Sequence, residues 1–241
     1  MWRLPLTLTF VLTAFQGSAD PGAPSFDCAK ASREDEKAIC ADPVLGALDR
    51  SLDTAYRNAR GRLRSDPAAL KHLRQEQALM LAGRRDAFAH PSGVGLRDYL
   101  ARWRDALDRL AEPRAGFEGG WTSLDTIIEV KGRPDGRFSV KLQGSDPVRG
   151  AWTCGYDGVG EKQGERLVVT WDRETDDEDG ADGWVLELTR MGSLLRVREL
   201  PGPDAAPSPP YCGVHGGLAG DYMPADAAAF AKAHERVGYE R

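Results

Sequence analysis

Apolar residues recur at three- and four-residue steps through the first half of the chain. This repeat predicts three amphipathic helices, over about 43–63, 67–88 and 96–110. Asp42-Pro43 and Asp66-Pro67 are typical helix starts, because the aspartate caps free backbone N–H groups and proline suits the first turn. Short connections between such helices favour a small helical bundle.

After Pro113 the pattern changes to short alternating segments rich in β-branched and aromatic residues. Six strands are predicted, at Thr126–Val130, Arg137–Leu142, Ala151–Tyr156, Leu167–Trp171, Trp184–Thr189 and Leu194–Glu199. Turns rich in glycine and aspartate separate them, and no helical repeat lies between them, which favours an antiparallel β-barrel or sandwich. A Pro-rich loop follows over 201–210. Tyr211–Tyr222 is expected to form a last strand or a loop held by Cys212, and Ala225–Val237 is expected to form a short C-terminal helix.

The predicted class is therefore α+β. An N-terminal helical domain over residues 24–112 precedes a C-terminal antiparallel β domain over residues 113–241. Length and composition agree with this division, since 241 residues with 41% hydrophobic side chains are enough for two small globular units.

The first nineteen residues are typical of a secretory signal peptide. Arg3 precedes an apolar run, Leu4–Phe15, and Gly17-Ser18-Ala19 supplies the small residues expected before cleavage. Twelve helical residues span about 18 Å, short of the roughly 30 Å of a bilayer's hydrocarbon core. We therefore expect a mature chain that begins at Asp20, has no membrane span, and is periplasmic or secreted.

Four cysteines in an exported chain indicate disulfide bonds. They allow three pairings. The simplest joins Cys28 to Cys40 and Cys154 to Cys212, because each pair then lies within one region. A metal site is not expected, since the chain has no C-x-x-C spacing and no histidine at ligand spacing from a cysteine.

Charge is distributed unevenly along an acidic chain. The formal net charge is −5, which disfavours a nucleic-acid partner because binding phosphate requires a basic surface. Residues 24–112 carry net +2 and residues 113–241 carry net −7. An EF-hand alignment of the most acidic stretch fails, because Leu186 would occupy the closing ligand position.

That stretch is predicted to be a hairpin loop that is simply solvated, serves as an electrostatic docking patch or forms a weak calcium site. The candidate docking residues are Glu174, Asp176, Asp177, Glu178, Asp179 and Asp182.

Motifs of common catalytic sites are absent from the sequence. It contains no G-x-S-x-G elbow, no H-E-x-x-H helix and no phosphate-binding loop. His72 and His90 are expected on the surface, whereas His215 lies in a glycine-rich segment and could line a pocket. We therefore predict a non-catalytic protein without a cofactor.

Residues 26–56 have a recognisable arrangement around the first two cysteines. Its parts are Phe26-Asp27-Cys28-Ala29-Lys30-Ala31, Glu36-Lys37-Ala38-Ile39-Cys40, Asp42-Pro43-Val44-Leu45, Leu48-Asp49 and Ala55-Tyr56. This arrangement resembles the N-terminal domain of the LprI-type lysozyme-inhibitor family, over roughly residues 25–110. Such domains often read Q-x-x-W-L-x-x-R and carry a second cysteine pair. Here Met80 replaces the tryptophan, and Ala87 or Phe88 and Gly95 lie near the missing cysteines, so the resemblance implies one bridge in the helical domain.

The resemblance implies binding to lysozyme. The leading hypothesis is an exported binding protein that inhibits lysozyme or a similar cationic hydrolase, with the acidic β region favouring encounter with a basic partner. The alternative is a small-ligand-binding barrel with a helical accessory domain. Its apolar cavity would be lined by Trp152, Trp171 and Trp184, and Gly119-Gly120-Trp121 resembles the opening of small calyx-like barrels.

Overall fold

Four α-helices occupy the first half of the computed structural model, which describes residues 22–171, 183–203 and 205–226. They are α1 (Glu34–Ala41), α2 (Pro43–Arg62), α3 (Pro67–Ala89) and α4 (Leu96–Arg109), preceded by a 3₁₀ turn at Cys28–Lys30. The three predicted helices coincide with α2, α3 and α4. Helix α1 was not predicted, because its eight residues bury only Asp35 and Ile39 and show little apolar repeat.

Helices α2 and α3 begin with the predicted aspartate caps. The Asp42 carboxylate accepts hydrogen bonds from the N–H groups of Val44 and Leu45, at 2.8 and 3.3 Å. Asp66 accepts from Ala68 and Ala69 in the same way, at 2.8 and 3.0 Å. Each carboxylate therefore satisfies donors that the first helical turn leaves free.

The second half of the described chain forms a closed barrel of eight antiparallel strands. These are β1 (Gly119–Thr122), β2 (Thr126–Gly132), β3 (Phe138–Ser145), β4 (Thr153–Gln163), β5 (Arg166–Trp171), β6 (Trp184–Met191), β7 (Leu194–Pro201) and β8 (Gly220–Ala225). Each strand pairs with the next, and β1 pairs with β8 to close the barrel. The architecture is thus the barrel and not the sandwich. Ala225, where a terminal helix was predicted to begin, lies in β8, and residues 227–241 lie outside the described part.

The barrel interior is filled by apolar side chains from every strand. Residues at alternate positions point inward, as Cys154 and Tyr156 do on β4. Trp121 is fully buried and its indole N–H donates to the Phe117 carbonyl at 2.8 Å. The guanidinium groups of Arg190 and Arg114 lie over its ring, 4.3 and 5.5 Å from the centroid. These groups cover the end of the barrel that carries the short turns.

The helices pack against the outside of the barrel and share a core with it. Leu194 and Met223 of the barrel belong to the same buried cluster as the helical side chains. On β8, Tyr222 points into the barrel whereas Met223 points toward the helices. Backbone bonds also cross the contact, including Val94 N–H to the Val148 carbonyl at 3.0 Å. Both faces of β8 are therefore buried.

Two disulfides join residues within each half of the chain. Cys28–Cys40 connects the 3₁₀ turn to α1, and Cys154–Cys212 connects β4 to the long β7–β8 connection. This is the within-region pairing. In the ranges that the structure describes, no helix has the length and apolar character needed to cross a membrane.

Candidate functional site

The barrel carries its longest connections at one end. Consecutive antiparallel strands alternate direction, so the connections 123–125, 146–152 and, over its described residues, 202–219 share that end, which we term the loop end. The opposite end carries the turns 133–137, 164–165 and 192–193. Recognition residues lie preferentially on loops presented by a rigid scaffold. The loop end is therefore the part of the barrel best placed to bind a partner.

The β7–β8 connection, residues 202–219, is fixed to the barrel at several points. The Glu199 carboxylate accepts hydrogen bonds from the Tyr211 hydroxyl and from the N–H groups of Leu218 and Ala219, at 3.0 to 3.1 Å. The Cys154–Cys212 disulfide adds a covalent attachment. Leu218 is fully buried in the barrel core. The second half of this connection therefore covers the loop end of the barrel, and these bonds attach it there.

A tight turn projects from this fixed segment. Gly213 N–H donates to the Thr153 carbonyl, and Gly216 N–H donates to the Gly213 carbonyl, both at 2.8 Å. At the tip, Val214 is 76% exposed, and His215 has φ +68°, the left-handed region that side chains other than glycine seldom adopt. Strained residues of this kind are often found at binding sites. His215 lies at the tip and is exposed.

Aromatic rings pack beneath this turn. Tyr156 makes edge-to-face contacts with Trp171 and Tyr211, with centroids 4.9 and 5.0 Å apart, and Trp184 contacts Tyr211 at 6.4 Å. Burial raises the pKa of the Tyr156 and Tyr211 hydroxyls, so both stay neutral. Trp171 and Trp184 are half-buried. Trp152 also packs against the barrel core. The three tryptophans proposed to line a ligand cavity thus contact the packed core.

Two surface cavities lie between α2 and α4 instead. Their volumes are about 390 and 410 Å³, and they share Ala47, Ser51 and Arg104. Small side chains contribute to the lining of both, together with Arg50 in the first and Arg97 in the second.

The six candidate docking residues lie outside the described residues. They are Glu174, Asp176, Asp177, Glu178, Asp179 and Asp182. The residues that flank this segment in the described chain, Trp171 and Gly183, lie at the loop end. His90 is on the surface, as predicted. The prediction for His72 is wrong, because its side chain is only 13% exposed where α3 packs on the barrel.

A buried ionic cluster in the helical part was not predicted. The Arg84 guanidinium lies 2.7 Å from the Asp35 carboxylate and 4.0 Å from that of Asp49. Asp49 also accepts hydrogen bonds from the backbone and hydroxyl of Ser25, at 2.8 and 2.6 Å. The sequence did contain a signal for this cluster, because Arg84 and Asp49 both lie on the apolar faces of their helices. Their burial links α1, α2, α3 and the preceding segment.

The described residues contain no group of three or more His, Cys, Asp or Glu side chains that could hold a metal ion. The loop end offers an exposed apolar tip and half-buried aromatic rings. These features provide contact area for another molecule.

Comparison of the chain with protein-family models, with curated proteins and with solved structures gives no match. The resemblance to LprI-type domains therefore stays a prediction.

Proposed function

We propose that this protein is an exported, non-catalytic binding protein whose loop end docks on a basic partner. The partner class that fits best is lysozyme or a similar cationic hydrolase, which the protein would inhibit. In this proposal the signal peptide is removed after Ala19, the protein is periplasmic or secreted, and the helices form an LprI-type bundle tied by one disulfide.

The negative charge in the sequence between β5 and β6 is the observation that carries the proposal. The sequence of residues 172–182 holds seven acidic side chains and one arginine, and this segment connects strands β5 and β6. Opposite fields accelerate association with a basic protein and orient it on approach. An acidic loop end would therefore direct a cationic enzyme toward the turn that carries Val214 and His215.

The rigidity of that turn supports the same interpretation. The Cys154–Cys212 disulfide and the Glu199 hydrogen bonds hold the segment before any partner arrives. A preorganised element loses less conformational freedom on binding, so more of its contact energy appears as affinity. Val214 supplies an apolar contact, and His215 presents an imidazole beside it.

Export is supported by the cysteines. All the cysteines are paired in the two disulfides. Disulfides persist mainly in oxidising compartments such as the periplasm and the extracellular space.

The test is a binding and inhibition assay with the oxidised mature protein and lysozymes of the c and g types at low and moderate salt. A variant replaces the six candidate acids by Asn or Gln. The matched control replaces Glu161 and Glu165, exposed carboxylates near the opposite end of the barrel, by Gln. We expect saturable inhibition, and about a tenfold slower association for the loop variant at low salt.

A second pair of variants separates charge from contact. Val214→Ser and His215→Gly should leave the association rate near that of the unmodified protein and raise the dissociation rate, because the tip acts only after encounter. Absence of saturable binding to either lysozyme type would contradict the proposed function. Equal association rates for the loop variant and its control would contradict the role of the acidic segment alone.

A further inference from the structure

His72 and Glu76 form a buried pair on the side of α3 that packs against the barrel. They lie one helical turn apart, with His72 Nε2 3.7 Å from Glu76 Oε1, and each side chain is 13% exposed. Among the described residues, His72 is the only ion-pair partner of the Glu76 carboxylate. His72 Nε2 itself has no hydrogen-bond partner there. Little water is therefore present to stabilise a charge on either group.

Titratable and charged groups face this pair from the surrounding elements. They are Tyr99 on α4, Asp125 in the β1–β2 turn, Arg196 on β7, and Asp221 and Tyr222 on β8. Arg196 and Asp221 neutralise each other through two hydrogen bonds of 2.6 and 2.8 Å. Asp125 lies on the Glu76 side, and its charge repels an ionised Glu76. The surroundings thus disfavour a negative charge on α3.

The environment favours the uncharged form of both members of the pair. Burial raises the pKa of Glu76 to about 7, Asp125 adds to this effect, and a hydrogen bond from the Leu124 backbone opposes it. Burial lowers the pKa of His72, against the opposing influence of Asp221. Between these two transitions, the contact between α3 and the barrel contains a neutral imidazole and a neutral carboxyl group.

We propose that the His72–Glu76 pair is a pH-sensitive latch between α3 and the barrel, which holds the two together while Glu76 is protonated and loosens when Glu76 ionises. Ionisation places a carboxylate beside Asp125 in a contact with little water. Separation of α3 from β7 and β8 returns that charge to solvent. This inference depends on no partner and stands apart from the proposed binding function.

The direction of the effect follows from linkage. A carboxyl group whose folded pKa lies above its unfolded value binds protons more tightly in the closed form. The stabilisation is complete below about pH 4.5, the ordinary value for glutamate, and falls as the pH rises to about 7. His72 acts in the opposite direction, and its contribution is lost as the pH falls below 6.5.

Hydrogen exchange of the oxidised mature protein tests the latch. The reporter amides are Val94, which donates to Val148, and Ser193, which donates to Asp66, because both bonds cross the contact. After correction for intrinsic exchange, the opening constant of the unmodified protein is compared with that of Glu76→Gln. We expect their ratio to rise about 70-fold between pH 5 and pH 8, from the pKa difference of Glu76.

Glu161→Gln, which removes an exposed carboxylate from β4, is the matched control and should follow the unmodified protein at every pH. Equal pH profiles for Glu76→Gln and the unmodified protein would overturn the proposal. Carbon NMR titration of Glu76 in the unmodified protein provides a second measurement that does not require a variant to fold. Titration at the ordinary glutamate value would also overturn the proposal.

Discussion

Arg84 is a buried cation on an otherwise apolar face of α3. Leu73, Met80 and Ala87 on the same face are also buried. The Arg84 side chain is only 6% exposed and meets carboxylates that α1 and α2 supply. One arginine thus pairs with charges from two other helices, and its removal would leave the two buried carboxylates with only Ser25 and Arg33 as partners.

The expected result for Arg84→Met is a loss of about 3–5 kcal/mol in the free energy of unfolding, because Asp35 and Asp49 stay buried without their cation. Denaturant titration followed by circular dichroism measures this loss. Arg85→Met is the control, since Arg85 is exposed on the same helix, and should change stability by less than about 0.5 kcal/mol. Similar losses for the two variants would show that the cluster contributes little.

At the scale of elements, α2 and α3 start with the same cap but differ in what else that cap contacts. Among the bonds described, the Asp42 carboxylate accepts only from its own helix, whereas the Asp66 carboxylate also accepts from Ser193 N–H at 3.2 Å, which joins α3 to the β6–β7 turn. We expect Asp42→Ala to cost about 1 kcal/mol and Asp66→Ala to cost about 2 kcal/mol, since it also loses a bond to the barrel. Thermal unfolding of both variants measures the difference.

The stability that the Asp66 carboxylate contributes depends on pH. Burial alone would raise the pKa of Asp66, but hydrogen bonds from Ser193, Ala69 and Ala68 lower it below the ordinary value. Because the pKa of Asp66 is lower in the folded protein than in the unfolded chain, its carboxylate stabilises the fold above about pH 3.8. This stabilisation is lost as the pH falls below that value. The stability gap between the unmodified protein and Asp66→Ala should therefore narrow in acid. A gap that is constant down to pH 2 would contradict this assignment.

Local signals predicted most of the elements, and long-range pairing accounts for strands β1 and β8, of which only a last strand or loop over Tyr211–Tyr222 was expected. Helices α2 to α4 and strands β2 to β7 follow from periodicity and turn residues. Strand β1 has four residues and begins with two glycines, and β8 contains Pro224. They become strands because Gly120 pairs with Ala225, more than a hundred residues away. The β1–β8 pairing also distinguishes a closed barrel from a sandwich. Because local sequence patterns do not show this pairing, both architectures were left open.

The candidate site was predictable only in its local parts. The acidic segment and the glycine-rich turn with His215 are visible in the sequence. The role of Glu199 is not visible, because Tyr211 and Leu218 reach it through folding of the β7–β8 connection. His72 was expected on the surface because α3 alone exposes it. The barrel strands that bury it lie more than a hundred residues further along the chain.

At the scale of the whole molecule, the two disulfides constrain loops of different length. Cys28 and Cys40 are separated by 12 positions, and Cys154 and Cys212 by 58. Chain entropy predicts a loss of about 3 kcal/mol for the Cys28→Ala, Cys40→Ala double variant and about 4 kcal/mol for Cys154→Ala, Cys212→Ala. Equilibrium unfolding of both under oxidising conditions measures these losses. A larger loss for the first pair would contradict the entropic account.

Closure of the barrel has to wait for the end of the chain, because β1 pairs with β8. The chain emerges N-terminus first, so the residues of α1 to α4 are available before those of the barrel strands. Strand β1 follows, but one of its edges has no partner until β8 emerges about a hundred residues later. An unpaired strand edge is a template for association with other chains. During that interval the chain contains all four helices and exposes a β1 edge that could pair with another chain. Pairing with β8 covers this edge.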